Sequence, residues 1–435
     1  MFKKVLILSF LIGTPFAQSP DELYKTAQAS LDAGKVSKAE EEFKAALEVD
    51  FTFAPAYIGL AHVSMRKGDL DATNKYLNEA IEADPENKAF RQESESMKEL
   101  FTLMSKGRRS MKNGDADNAF ESFRVASEKF PNYPESVFYM GMTLFRQKNF
   151  LESVDYLKRT LAINPEHKNA AAAIKNVAKS YFINGNNSYK RGDLDGALSS
   201  YKEVLIVDDT FYQAHYQIGV IQSKMGDKEL AISSYQEALK VNPKFYKGYL
   251  ALGLAKKDMN DRNGAITALE MAVDIYPGYD KAYGAMGDIY INAKNFEKAK
   301  QVLKTAVTVN PNYAYGHANL GKVYKEEENW DEAIAALQEA VSLNKKDATS
   351  FFHLAEAFNV LEKCEEAKIA ARNSTELKNR FGGAWFELGI AEWCSGKGNK
   401  TAALNAFEKA RGDRSWRTMA EYEIDKVRNP QKYEN

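Results

Sequence analysis

Small and apolar positions along this chain return on a long period. From Tyr283 to Pro311 it reads YGAMGDIYINAKNFEKAKQVLKTAVTVNP, and the segment that follows, HANLGKVYKEEENWDEAIAALQEAVSLN, repeats the same punctuation. Gly185, Gly219, Gly253, Gly287 and Gly321 succeed one another at intervals of 34 residues, and Ala355 and Gly389 continue the series. Twelve places after each of the five glycines stands an alanine, at Ala197, Ala231, Ala265, Ala299 and Ala333. Four places further comes a bulky residue, at Tyr201, Tyr235, Leu269, Leu303 and Leu337. At helical spacing this is a packing pattern, because the small side chain lets a neighbouring helix approach and the large one fills the groove beside it. The period predicts a succession of antiparallel helix pairs.

The turns inside the pairs carry their own signal. Gly68-Asp69, Gly114-Asp115, Gly192-Asp193, Gly226-Asp227 and Asn260-Asp261 place a residue suited to the left-handed conformation before one whose side chain accepts from free helix amides. Their recurrence between helices predicts caps rather than catalytic carboxylates. Asn164-Pro165, Asn242-Pro243, Tyr276-Pro277 and Asn310-Pro311 end the second helices, since proline lacks the donor and clashes with the preceding turn.

With these residues in hand, the chain resembles the tetratricopeptide-repeat (TPR) proteins, whose 34-residue helix-turn-helix units stack into a right-handed superhelix. The resemblance implies an all-α, superhelical solenoid. Running the register back through Gly141, Gly107, Ala61 and Ala27 yields about eleven units between residues 20 and 414. It is silent on function, because such arrays serve many unrelated partners.

Departures from the period divide the chain. Ala61 and Gly107 are 46 residues apart, and Gly141 and Gly185 are 44 apart. Segments 88–99 and 168–177 are therefore surplus. They contain neither proline nor glycine, and are expected to lengthen the following first helix and protrude from one edge. The expected layout is units 1–2 over 20–87, an extension over 88–99, units 3–4 over 100–167, an extension over 168–177, and units 5–11 over 178–414. GKGNKT adds two residues to the last inter-helix turn. Residues 415–427 read as a capping helix with Trp416, Met419, Tyr422 and Ile424 inward, covering apolar surface that an open last unit would leave wet.

Residues 1–17, MFKKVLILSFLIGTPFA, have a two-lysine start, a short apolar run and a small residue at Ala17. That pattern is expected to be a cleaved secretory signal peptide, and the run is too short for a bilayer core that needs about 20 residues. Export, to a bacterial periplasm, is the expected location. No later stretch is apolar enough for an integral membrane span. The formal charge is −1, or −1 − 2 = −3 without Lys3 and Lys4, which argues against nucleic acid as a partner.

The search for chemistry returns little. His62, His167, His215, His317 and His353 lie in different units without metal-ligand spacing, and no phosphate-binding glycine loop or nucleophile elbow occurs. The expectation is a non-enzyme without cofactor or metal. In solenoids of the resembled family the first helices line a concave groove, and that register selects Phe138, Met142, Phe145, Phe182, Asn186, Tyr189, Tyr216 and Val220, with Lys179 close by. Such a lining would take a protein segment with apolar anchors and acidic flanks. Packing against neighbouring helices would yield the same spacing. Phe182 stands where the family's carboxylate clamp would have a lysine, so chaperone-tail binding is not expected. Further on, Lys247, Lys257, Lys281, Lys322 and Lys325, interrupted by Asp288 and Glu356, read as a solvated face. The alternative to a groove binder is a structural part of an envelope complex, for polysaccharide export, secretion or pilus assembly. Cys364 and Cys394 fall toward the same edge of adjacent units, placed either to bridge in an oxidising compartment or to remain two small apolar thiols.

Overall fold

The computed structural model describes residues 18–395 and 399–433. Residues 1–17, on which the expected signal peptide falls, residues 396–398, within the GKGNKT stretch, and residues 434–435 lie outside them. Among the described residues there are helices and turns and no strand. The chain divides into two compact units, one ending at Thr210 and one beginning at Phe211.

The first unit holds five helix pairs: Pro20–Asp32 with Val36–Val49, Ala54–Lys67 with Leu70–Ala83, Lys88–Lys112 with Ala116–Lys129, Pro134–Arg146 with Phe150–Ile163, and Lys168–Lys190 with Leu194–Val207. The second holds six, from Tyr212–Met225 with Lys228–Val241 to Gly382–Cys394 with Lys400–Arg411, followed by Arg417–Arg428. Asp69, Asp115, Asp193 and Asp261 each accept from the backbone amide three residues on, at 2.9–3.2 Å, so they are caps, whereas Asp227 stands at the N-cap position without a side-chain cap hydrogen bond. The residue before each takes a positive φ, 81° at Gly192 and 60° at Asn260. Only a left-handed residue reverses the chain in so short a turn. Asn164, Asn242, Tyr276 and Asn310 close their second helices just ahead of the prolines.

The long period has a direct steric cause. A Cβ added at Gly185 would lie 2.6 Å from the ring of Tyr201, at Gly219 2.6 Å from Tyr235, at Gly287 2.6 Å from Leu303 and at Gly321 2.5 Å from Leu337. Each glycine thus receives the bulky residue sixteen places on, and Tyr201, Leu303 and Leu337 are fully buried there. In the tenth pair the first partner is Ala355 and the residue sixteen on is Ala371, so a larger first residue accompanies a smaller second one.

Two expectations are corrected. The surplus segments do not simply protrude: Met97 in the first and Ala170, Ala173 and Val177 in the second are buried. In the terminal helix Met419 and Tyr422 face outward, 46% and 53% exposed, and the buried side consists of Ala420, Glu423, Ile424 and Val427. Trp416, just ahead of the helix, packs on Phe352 and Phe386 at ring separations of 5.9 and 5.1 Å.

Candidate protein-interaction site

The side chains singled out for the groove all come from first helices, and they are neither free nor sealed. In the first unit the ring of Phe138 lies 5.0 Å from His167 and 5.4 Å from Tyr139. Met142 packs on the cluster around Leu157, and Phe145 on Phe150 at 5.3 Å. Phe182 and Asn186 meet over one residue: the Phe182 ring is 5.4 Å from Tyr201, whose hydroxyl donates to Asn186 Oδ1 at 2.7 Å. Tyr189 is half-buried and Lys179 is exposed. In the second unit Tyr216 lies 5.1 Å from Phe245 and 5.7 Å from Tyr235, and Val220 packs on the same cluster. All of these except Lys179 are partly buried, whereas the bulky residues of the second helices, Leu157, Tyr201 and Leu269, are fully buried. At these places one face of each side chain packs and the other meets solvent.

The extensions add features that the repeat register does not contain. Glu93, in the first, is hydrogen bonded to His62 Nε2 at 2.7 Å, and a cavity of about 280 Å³ opens beside the pair. At the start of the second, His167 Nδ1 accepts from the Ala170 amide at 3.1 Å, so its Nε2–H donates to Glu135, at 2.8 Å. Ser37, from the first helix pair, donates to Glu166 at 2.6 Å. The repeat register places these two histidines in different units and does not expose either partner.

In the second unit the polar residues of successive first helices are tied to one another. Asp288 accepts from Tyr315 at 2.6 Å and from Asn319 at 2.8 Å, with Lys257 at 3.9 Å, and Lys322 donates to Asn319 at 3.3 Å. Lys325 pairs with Glu356 at 2.9 Å, and His353 Nδ1 lies 3.2 Å from the same carboxylate. Burial alone would raise the Glu356 carboxyl, but the hydrogen bonds from His353 and Lys325 outweigh it and hold it low. Burial pushes His353 down, against the pull of Glu356. Of the residues read as a solvated face, Lys257, Lys322, Lys325, Asp288 and Glu356 thus belong to a cross-helix network. No cluster of metal-ligating side chains occurs among the described residues, and no described helix is long and apolar enough to cross a membrane.

Family descriptions named "Tetratricopeptide repeat" match residues 24–90, 212–245 and 257–323, and one named "TPR repeat" matches 321–359. The chain is 39% identical over 69 residues to cellulose synthase operon protein C of Komagataeibacter sucrofermentans, which is 15% of this chain and 5% of that protein. It is 21% identical over 225 residues to anaphase-promoting complex subunit CDC16 of Saccharomyces cerevisiae, 51% of this chain and 24% of that one. It therefore spans a small part of either relative's length. The solved structure of PilF from Pseudomonas aeruginosa is similar with a TM-score of 0.44 and 17% identity, over 47% of this chain and 94% of that one. Tetratricopeptide repeats are thus recognised over four stretches of this chain, where they coincide with helix pairs in the glycine-to-bulky register.

Proposed function

We propose that this chain is an exported, non-enzymatic scaffold that holds a segment of another protein against its first helices. Proteins built of these repeats are generally protein–protein interaction scaffolds. The observation that carries the reading is a set of aromatics on first helices that are packed on one side and open on the other: Phe138, Phe145, Phe182 and Tyr216 stay partly at the surface, each with a ring contact on one side. Partly exposed aromatics held by packing offer large contact area at little entropic cost, which suits them to receive apolar anchors. Export rests on the leader-like residues 1–17.

The test is capture of the native partner by the mature chain with Phe182→Ala or Tyr216→Ala. Each should weaken capture by more than roughly 1 kcal/mol with helicity kept. Unchanged capture with intact helicity would refute the groove. A second reading, a structural part of an envelope assembly, is favoured by the likeness to cellulose synthase operon protein C. It predicts co-sedimentation with the envelope or self-association, where a groove binder stays monomeric.

A further inference from the structure

We propose that the first four helix pairs are closed by a latch, and that the latch must release before a partner segment reaches the covered face of Phe138. The closure stands on contacts within the first unit; only its consequence for a partner rests on the scaffold reading. In arrays of this kind each pair touches its neighbours. Here Ser37, at the start of the second helix of the first pair, donates to Glu166, in the loop that follows the fourth pair, across 129 residues. A Cβ added at Gly34 would lie 3.9 Å from Pro165 of the same loop. The second pair takes part as well. A Cβ added at Gly68, in its turn, would lie 2.7 Å from the side chain of Glu135, and the first helices of the second and fourth pairs touch.

His167 ties this junction to the groove. Its Nδ1 accepts from the Ala170 amide, which leaves the proton on Nε2 and aims it at Glu135, and its ring lies 5.0 Å from that of Phe138. His167 is buried, so one face of Phe138 is covered for as long as Glu135 holds the imidazole. The junction differs in kind from the stacking of neighbours. Successive pairs share buried apolar clusters, as Leu100, Phe123 and Met140 do, whereas the latch is two side-chain hydrogen bonds around a cavity of about 380 Å³ lined by Ser37, Lys67, Glu135, Glu166 and His167. A hydrogen bond to a charged group shifts an equilibrium by roughly tenfold or more, far less than a buried cluster does, so the latch is the contact that parts first when the first unit opens.

The test uses the mature, unreduced chain, in which Cys364 and Cys394 are paired and introduced cysteines can be labelled alone. Spin labels at Lys38→Cys and Lys168→Cys, both exposed places flanking the latch, should report one narrow distance. Adding Ser37→Ala with Glu135→Ala should lengthen and broaden it. Ser37→Ala with Glu166→Ala, confined to exposed side chains, should broaden it as well, even where Glu135→Ala costs folding. In a chain without the spin labels, the thiol of Phe138→Cys should react with N-ethylmaleimide about tenfold faster once the latch is cut, since a covered group reacts in proportion to the open fraction. An unchanged distance in both latch variants with helicity intact would overturn the latch. Equal thiol reactivity with the latch cut and intact would overturn its hold on Phe138. Neither readout needs a partner, so failure here is separable from failure of the Phe182 and Tyr216 capture test.

Discussion

Asn359 turns its amide onto Glu387, donating at 2.9 Å to the backbone carbonyl and at 2.8 Å to the carboxyl. The two residues stand on the first helices of the tenth and eleventh pairs, and Glu387 is 7% exposed. Burial pushes its carboxyl up to about 7, against the Asn359 hydrogen bond; the charge of Glu356 pushes it the same way and Lys325 opposes. One carboxyl thus joins the polar network of the second unit to its last pair.

An acid whose folded pKa exceeds the unfolded one holds its proton more tightly when folded. The associated stability is fully present below about 4.5 and is lost as pH rises through about 7. Glu387→Gln, permanently neutral, should therefore be the more stable chain at pH 8, by about 3 kcal/mol, with the gap closing by pH 4. Urea melts of both chains at the two pH values check this. A pH-independent difference would rule out a buried, proton-holding Glu387.

Gly185→Ala places a methyl 2.6 Å from the ring of Tyr201, which is fully buried and cannot swing clear without leaving Asn186. The substitution should cost about 1–3 kcal/mol although alanine is the better helix former. Gly185→Ala combined with Tyr201→Leu should recover part of the loss. Thermal unfolding of the wild type and the two variants decides it, and an unaffected single variant would remove the steric account of the period.

That account explains what the sequence makes legible. Contacts within a pair recur at a fixed separation, so Gly185 and Tyr201, or Asp193 and its cap, announce themselves by repetition. Contacts between pairs involve places that change from unit to unit. His62 with Glu93, Asp288 with Asn319, and Asn359 with Glu387 are 28 to 31 residues apart and occur once each, so no period exposes them. The terminal helix has no following unit to select its inward face, and Ala420 and Val427 fill the place that Met419 and Tyr422 were expected to take. At Phe182 the spacing was readable, while the sharing of its surface between Tyr201 and solvent depends on ring orientation.

Glu392 is 5% exposed and sits between Lys368 at 3.7 Å and Arg372 at 2.5 Å, linking the second helix of the tenth pair to the first helix of the eleventh. Glu392→Gln leaves the buried Lys368 with only the exposed Glu365, and should cost about 2–4 kcal/mol. Lys368→Met with Glu392→Leu should fall well short of the summed single losses, since no charge is then stranded. A double-mutant cycle by chemical denaturation measures the coupling, and additive losses would show that the pair does not interact.

Cys364 opens the second helix of the tenth pair and Cys394 ends the first helix of the eleventh, with Cα atoms 5.7 Å apart and the sulfurs paired. That Cα separation is within the range a disulfide needs, which repeat register alone does not supply. A bridge closing a loop of about 30 residues removes unfolded-chain entropy worth roughly 3 kcal/mol. It lies on the same helix-to-helix seam as Glu392, two residues before Cys394 in the chain, so the ionic contact and the bridge restrain the same pair of helices. The mature, denatured, unreduced protein should titrate no free thiols. Dithiothreitol, or Cys364→Ser with Cys394→Ser, should lower the unfolding transition of the second unit and leave that of the first in place, because the cross-link lies wholly beyond Phe211. Reduction should also raise hydrogen exchange first at the end of Gly382–Cys394, where the chain leaves the bridge. Two titratable thiols in the unreduced protein, or an equal fall in both transitions on reduction, would remove the bridge from the forces holding the last helix pairs together.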